Sequence, residues 1–177
     1  MVRLPDPHDP LRMESAIPAP SNPPHPKRVL LLGATGTIGR ATAQALVARG
    51  YEVACFLRPR SGVGGALAPD DSARLLAGTT LRFGDVTDPA SLARDGFRGE
   101  RFDALVTCLA SRTGAPRDAW AIDYRTNAHA LATAREHGVR HIVLLSAICV
   151  QKPLLAFQQA KLAFERELIG SGLIYSI

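Results

Sequence analysis

Long apolar runs are missing from this chain. No stretch reaches the roughly 18 residues that a membrane-spanning helix needs, so no integral membrane segment is expected. Cysteine is scarce: Cys55, Cys108 and Cys149 lie far apart, form no CxxC, and do not combine with the five histidines at metal-ligand spacing. That argues against zinc or an iron–sulfur cluster and for buried intracellular thiols. Runs of one charge are missing as well. The formal charge is +5, but the arginines are scattered, never five or six together, and no aromatics interleave with them. Nucleic acid is therefore not an expected partner, and a phosphate-bearing small molecule accounts for several arginines equally well. The first 26 residues hold eight prolines and no hydrophobic segment, which speaks against a signal peptide; their acids speak against a transit peptide. A loose, polyproline-biased tail is expected there.

What remains is rich in pattern. With 177 residues and 46% hydrophobic content, the chain has enough material for one globular domain. From Lys27 onward, apolar runs alternate with helical spacing. "RVLLLG" (28–33) has the continuous apolar character of a strand buried on both faces, and "TIGRATAQALVARG" (37–50) is a helix with a glycine stop. Further strands are expected at 51–58, 80–84, 102–110 and 141–147, with a sixth in "LIYSI". Helices are expected at about 72–77, 89–95, 118–137 and 153–170. Strand–helix alternation of this kind predicts an α/β fold with a doubly wound parallel sheet, the Rossmann NAD(P)-binding architecture, over 27–177. The sequence stops within the sixth strand, and a longer whole is expected.

"GATGTIGR" falls where the first strand becomes the first helix. Gly33 permits the turn, Gly36 lets backbone approach a pyrophosphate, and Gly39 lets helix pack on strand. Thr35, Thr37 and Ile38 complete the loop and helix start, whose free N–H groups favour phosphate. An NAD site would place an acid at the end of the second strand; this chain has Arg58, with Arg60 behind it. A guanidinium can fork onto a 2′-phosphate, so NADPH is expected, the alternative being that both arginines are solvated loop residues. Asp85 and Val86 end the third strand, and Leu109 and Ala110 the fourth, on the edge where open α/β sheets bind ligands. Asp85 is either an adenine contact or a turn aspartate.

The stretch "SAICVQKPLLAFQQAK" (146–161) resembles the catalytic segment of short-chain dehydrogenases. In those enzymes a serine ends a strand, and a tyrosine stands four residues before a lysine. Here Ser146 and Lys161 are present as the candidate catalytic pair, but the tyrosine position holds Phe157. Without a phenol, carbonyl reduction loses its proton route, whereas reduction of a conjugated carbon–carbon double bond survives. Its proton then comes from water, from Lys161 with a depressed pKa, or from around the substrate. Blander readings remain: Lys161 in an exposed pair with Glu165, Phe157 as core with Ala160, Phe164 and Leu168, and Ser146 as a strand-end cap. Cys149 and Gln151 share the intervening loop and are candidate substrate contacts.

"VLLLGATGTIGR", "RFGDVTD", "FDALVTCLASRTGAPRDAW", "IDYRTNA" and, above all, "SAICVQKPLLAFQ.AK" resemble the NADPH-dependent divinyl chlorophyllide a 8-vinyl-reductase family. These are atypical short-chain dehydrogenases related to the NmrA and isoflavone-reductase group. The resemblance implies reduction of the 8-vinyl group of a tetrapyrrole to ethyl, in chlorophyll or bacteriochlorophyll synthesis. It also implies a bacterial cytoplasmic location, with peripheral contact to a photosynthetic membrane left open, as is the oligomeric state. The family continues past "LIYSI" with a substrate-covering part, so residues 1–177 alone are expected to bind cofactor weakly and to be inactive. Two other readings are a non-catalytic NADP-binding regulator of the NmrA type and an interaction protein that keeps the nucleotide fold for structure.

Overall fold

The computed structural model describes residues 27–60 and 68–177. The proline-rich segment 1–26 and part of the loop after Arg60 lie outside the described residues. Six strands form one sheet: β1 (Arg28–Leu32), β2 (Glu52–Leu57), β3 (Thr80–Phe83), β4 (Ala104–Thr107), β5 (His141–Leu144) and β6 (Ile174–Ser176). Their order is β3-β2-β1-β4-β5-β6 and every pairing is parallel. This is the doubly wound arrangement the alternating pattern predicts.

The helices are α1 (Thr37–Ala48), α2 (Pro69–Leu75), α3 (Pro89–Ser91), α4 (Pro116–Ala119), α5 (Asn127–Glu136) and α6 (Ala156–Ile169). Strand residues alternate between two cores because successive side chains leave opposite faces of a strand. Leu30, Leu32, Phe56, Leu105 and Ile142 face α5 and α6, meeting Leu131, Phe164 and Leu168. Val29, Leu31, Val53, Cys55 and Val106 face α1 and α2, meeting Ala43 and Leu76. Each large side chain fully buried here contributes on the order of 1.5–3 kcal/mol. Helices on both faces explain why β1 reads as an unbroken apolar run.

Two helical segments differ from the sequence expectation. Leu92–Phe97, after α3, and Trp120–Thr126, between α4 and α5, are π-helical. The hydrophobic period cannot reveal such widened turns, since the apolar residues still recur on one face. The fourth and fifth strands are also shorter than expected, although single bonds from Cys108 N to Leu32 O and from Leu145 N to Thr107 O carry the ladder one residue further. At the opposite edge, buried Arg82 donates to Gly96 O at 2.6 Å and to Glu100 at 2.8 Å. Hydrogen bonds from Arg28 and Arg82 hold the Glu100 carboxyl below the usual range.

The core sets a simple chemical expectation for the thiols. Cys55 is fully buried, as expected, and burial pushes its pKa up to about 11, whereas Cys108 is half-buried and Cys149, contrary to the expectation of buried thiols, is exposed in the loop before α6. Brief maleimide treatment of native protein at pH 8 should modify Cys149 and leave Cys55 untouched until the chain is unfolded, because only the thiolate reacts. Peptide mass mapping reads this directly; Cys55 modified at a comparable rate would mean that β2 is not packed as described.

Candidate functional site

The strand order reverses between β1 and β4, and the crevice at their carboxyl ends is where an open sheet of this kind accepts a ligand. Gly33 follows β1 with φ +77°, and a Cβ there would stand 2.5 Å from Cys108 O, the residue that follows β4. Gly39 is buried in the first turn of α1, where a Cβ would come within 2.2 Å of Gly33 O. Both glycines are therefore demanded by the protein's own backbone. Gly36 is different. It caps α1 with φ −74° and is exposed, and a Cβ there would meet only Gly33 O, at 3.4 Å. Among the described residues nothing needs that position bare, whereas a phosphate group approaching the helix would. The first turn of α1 has no side-chain cap and no acidic residue, so its N–H groups and positive dipole end remain available to an anion.

A cleft of about 260 Å³ opens over this turn, lined by Gly33, Thr35, Gly36, Arg58, Val86, Leu109 and Ala110, among others. Seven residues singled out in the sequence are thus brought together from four strand ends. Arg58 is exposed at the tip of β2. Asp85 does not line the cleft. Its Oδ1 accepts from the Thr87 N–H at 2.9 Å and the Thr87 hydroxyl at 2.7 Å, forming a local turn. Those bonds, with the nearby Arg58 charge, hold its carboxyl below the usual range. Thr37 sits exposed at the first position of α1.

A second cavity, about 420 Å³, adjoins the first through the shared wall Leu109–Arg112. Ile38, Ser146, Ile148, Phe157 and Lys161 line it. Phe157 is half-buried here and does not belong to the core, unlike Ala160, Phe164 and Leu168 on the same helix. Cys149 and Gln151 are exposed in the loop before α6, Cys149 with φ +60°, and neither lines the cavity. That loop is held by Gln158, a residue the sequence reading did not single out. Its Oε1 accepts from the N–H groups of Leu154 and Leu155, each at 3.1 Å, and its Nε2 donates to Ile148 O at 2.9 Å. A glutamine three residues into a helix is the sequence signal for such a reciprocal cap.

Lys161 is only 2% exposed. Its Nζ donates to Leu109 O at 2.7 Å and Leu145 O at 3.0 Å, and lies 3.5 Å from Asp123 Oδ1. Burial pushes the lysine's pKa down, and the Asp123 charge opposes that shift. The exposed Lys161–Glu165 pair offered by sequence spacing is therefore not the observed arrangement. Glu165 instead accepts a hydrogen bond from the Ser146 hydroxyl. Asp123, buried to 1%, also accepts from Ser111 N at 3.3 Å. It escaped the sequence reading because it lies 38 positions from Lys161, with no periodicity connecting the two.

Similarity to known proteins narrows what this geometry serves. Residues 33–177 match the family described as NAD(P)H-binding. A maize protein named divinyl chlorophyllide a 8-vinyl-reductase, chloroplastic, is 48% identical over 173 residues, covering 92% of this chain and 43% of that protein. The protein of the same name from Oryza sativa subsp. indica is 48% identical over 158 residues, covering 89% and 39%. The chain thus spans about two-fifths of the length of these relatives. Among solved structures, UDP-glucose 4-epimerase from Bifidobacterium longum, in complex with NAD+ and UDP, superposes with a TM-score of 0.67 at 20% identity. It covers 82% of this chain and 49% of that one, a likeness of fold alone. On the family match, with the glycine turn, uncapped helix and cleft of the fold it describes, this chain belongs to the NAD(P)H-binding family.

Proposed function

We propose that this chain is the nucleotide-binding part of an NADPH-dependent reductase that converts the 8-vinyl group of divinyl chlorophyllide to ethyl. The observation that carries the reading is the second cavity. Ser146 and Lys161, the pair that matches the short-chain dehydrogenase sequence pattern, line it together with Phe157, which stands one turn before the lysine. The relatives' name supplies a substrate that suits such a wall, an alkene conjugated to a flat apolar macrocycle. Ile38 and Ile148, 54% and 84% exposed at the same cavity, suit it too.

In this reading the α1 N-terminus receives the pyrophosphate and Arg58 receives the 2′-phosphate. The bound reduced nicotinamide supplies hydride to one vinyl carbon. Phe157 and Ile148 would pack against the ring face, and the charge left on the pigment would spread over its conjugated system until water reaching the vinyl carbon supplies the proton. This reading implies a cytoplasmic protein, with peripheral contact to a photosynthetic membrane left open. Among the described residues, no helix is long and apolar enough to cross a membrane.

The deciding assay extends this chain beyond Ile177 with the corresponding remainder of the maize relative and supplies NADPH and divinyl chlorophyllide. The expected result is a pigment absorption shift matched by NADPH oxidation, with residues 1–177 alone giving neither. NADPH oxidation that does not depend on the pigment would point to a different alkene. Cofactor binding without any oxidation would favour a nucleotide-sensing regulator, since Phe157 suits that reading as well.

A further inference from the structure

We infer that Asp123 and Lys161 form one buried clamp that fixes the wall between the two cavities, so that Lys161 is a positioning residue and not the proton donor. An ammonium group has three donors. Here Leu109 O and Leu145 O take two, and the third faces the Asp123 carboxylate, paired with it at 3.5 Å. None remains to give a proton to a substrate without breaking the contacts that bury the charge. The clamp joins the end of β4, the end of β5 and the π-helical stretch Trp120–Thr126.

The π-helical stretch is itself fastened to the sheet. Asn127, one turn after Asp123 and also buried, accepts from the Thr107 hydroxyl at 2.6 Å and donates to Ile122 O and Asp123 O. Asp123 and Asn127 therefore lie on one helical face turned toward β4. Through its second oxygen Asp123 also holds Ser111 N, within the shared wall. Besides Asp123, the charged or titratable groups facing Lys161 are Cys108 after β4 and Glu165 on its own helix, while β5 contributes the Leu145 carbonyl.

The inference rests on the nicotinamide-nucleotide reading of the cleft but not on the identity of the alkene. The test measures NADPH affinity from pH 6 to 9.5, titrating to millimolar, and thermal unfolding, in wild type, Asp123→Asn, Lys161→Met and the double variant. Asp123 favours the charged lysine, so removing it makes Lys161 lose its proton at lower pH. Asp123→Asn should therefore lose NADPH affinity at a lower pH than wild type. Lys161→Met should be weak at every pH by at least about tenfold, with a flat profile. The double variant should unfold at a higher temperature than Lys161→Met, because it leaves no unpaired buried carboxylate. An Asp123→Asn pH profile that superimposes on wild type, or unfolding losses that simply add, would overturn the clamp alone. Wild-type protein with no NADPH affinity would sink the cleft reading and the clamp with it.

Discussion

Gly36→Ala should give a protein that folds normally and binds NADPH far more weakly, while Gly39→Ala should give one that barely folds. The two positions are three residues apart in the same turn, yet their surroundings differ in kind. At Gly39 a Cβ would collide with backbone: Gly33 O at 2.2 Å, Gly33 C at 2.8 Å and Ala34 Cα at 3.0 Å. Backbone cannot rotate away as a side chain can, so α1 must separate from β1 and the leucine-rich core beneath it. A loss above about 3 kcal/mol is expected, in the range of severe core disruption. At Gly36 the added methyl meets one carbonyl oxygen at 3.4 Å, ordinary close contact. Its cost should stay within about 1 kcal/mol, that of a poorer helix cap. The methyl does, however, project at the open N-terminus of α1, where a pyrophosphate must come close. NADPH affinity should fall by on the order of 100-fold, about 2.7 kcal/mol. Urea unfolding and a nucleotide titration on each variant separate the two effects. Equal destabilisation by both would mean that Gly36 is as structural as its neighbours.

Arg58→Glu should have the second large effect, and a selective one. Arg58 ends β2, lines the first cleft, and lies close enough to Asp85 to help keep that carboxyl ionised. Reversing its charge puts two carboxylates where a 2′-phosphate would sit. NADPH affinity should fall about 100-fold while NADH affinity changes less than about threefold, since the 2′-phosphate loses a forked guanidinium partner and meets a carboxylate instead, and NADH lacks that phosphate. Parallel loss of both nucleotides would remove Arg58 from the reading of the ribose. So would an unchanged preference.

These expectations also show which parts of the molecule can be read from residues in order. The strands were legible because burial on both faces leaves an unbroken apolar run, as in Val29–Leu32, and the doubly wound order follows from the alternation with helices. The glycine turn was legible because much of its demand is local, Gly33 turning at φ +77° and Gly39 answering to Gly33 and Ala34, although the Cys108 carbonyl that also crowds Gly33 comes from the far end of β4. Lys161 and Ser146 were found through their spacing, but not their partners. Asp123 reaches Lys161, and Glu165 reaches Ser146, only because three elements converge beyond the ends of β4 and β5. The π-helical turn that brings Asp123 inward leaves the hydrophobic pattern unchanged. Asp85 was ambiguous for a related reason, since a turn aspartate and a ligand contact have the same sequence appearance until Thr87 is seen to occupy its carboxylate.

Leu109, Ala110, Ser111 and Arg112 belong to both cavities at once. Two guests divided by a single partition cannot be energetically indifferent to each other if either one moves it. Whatever factor the first occupant imposes on the affinity of the second must be returned in full, because the cycle closes. On the proposed reading, coenzyme and pigment would then report on one another through these four residues.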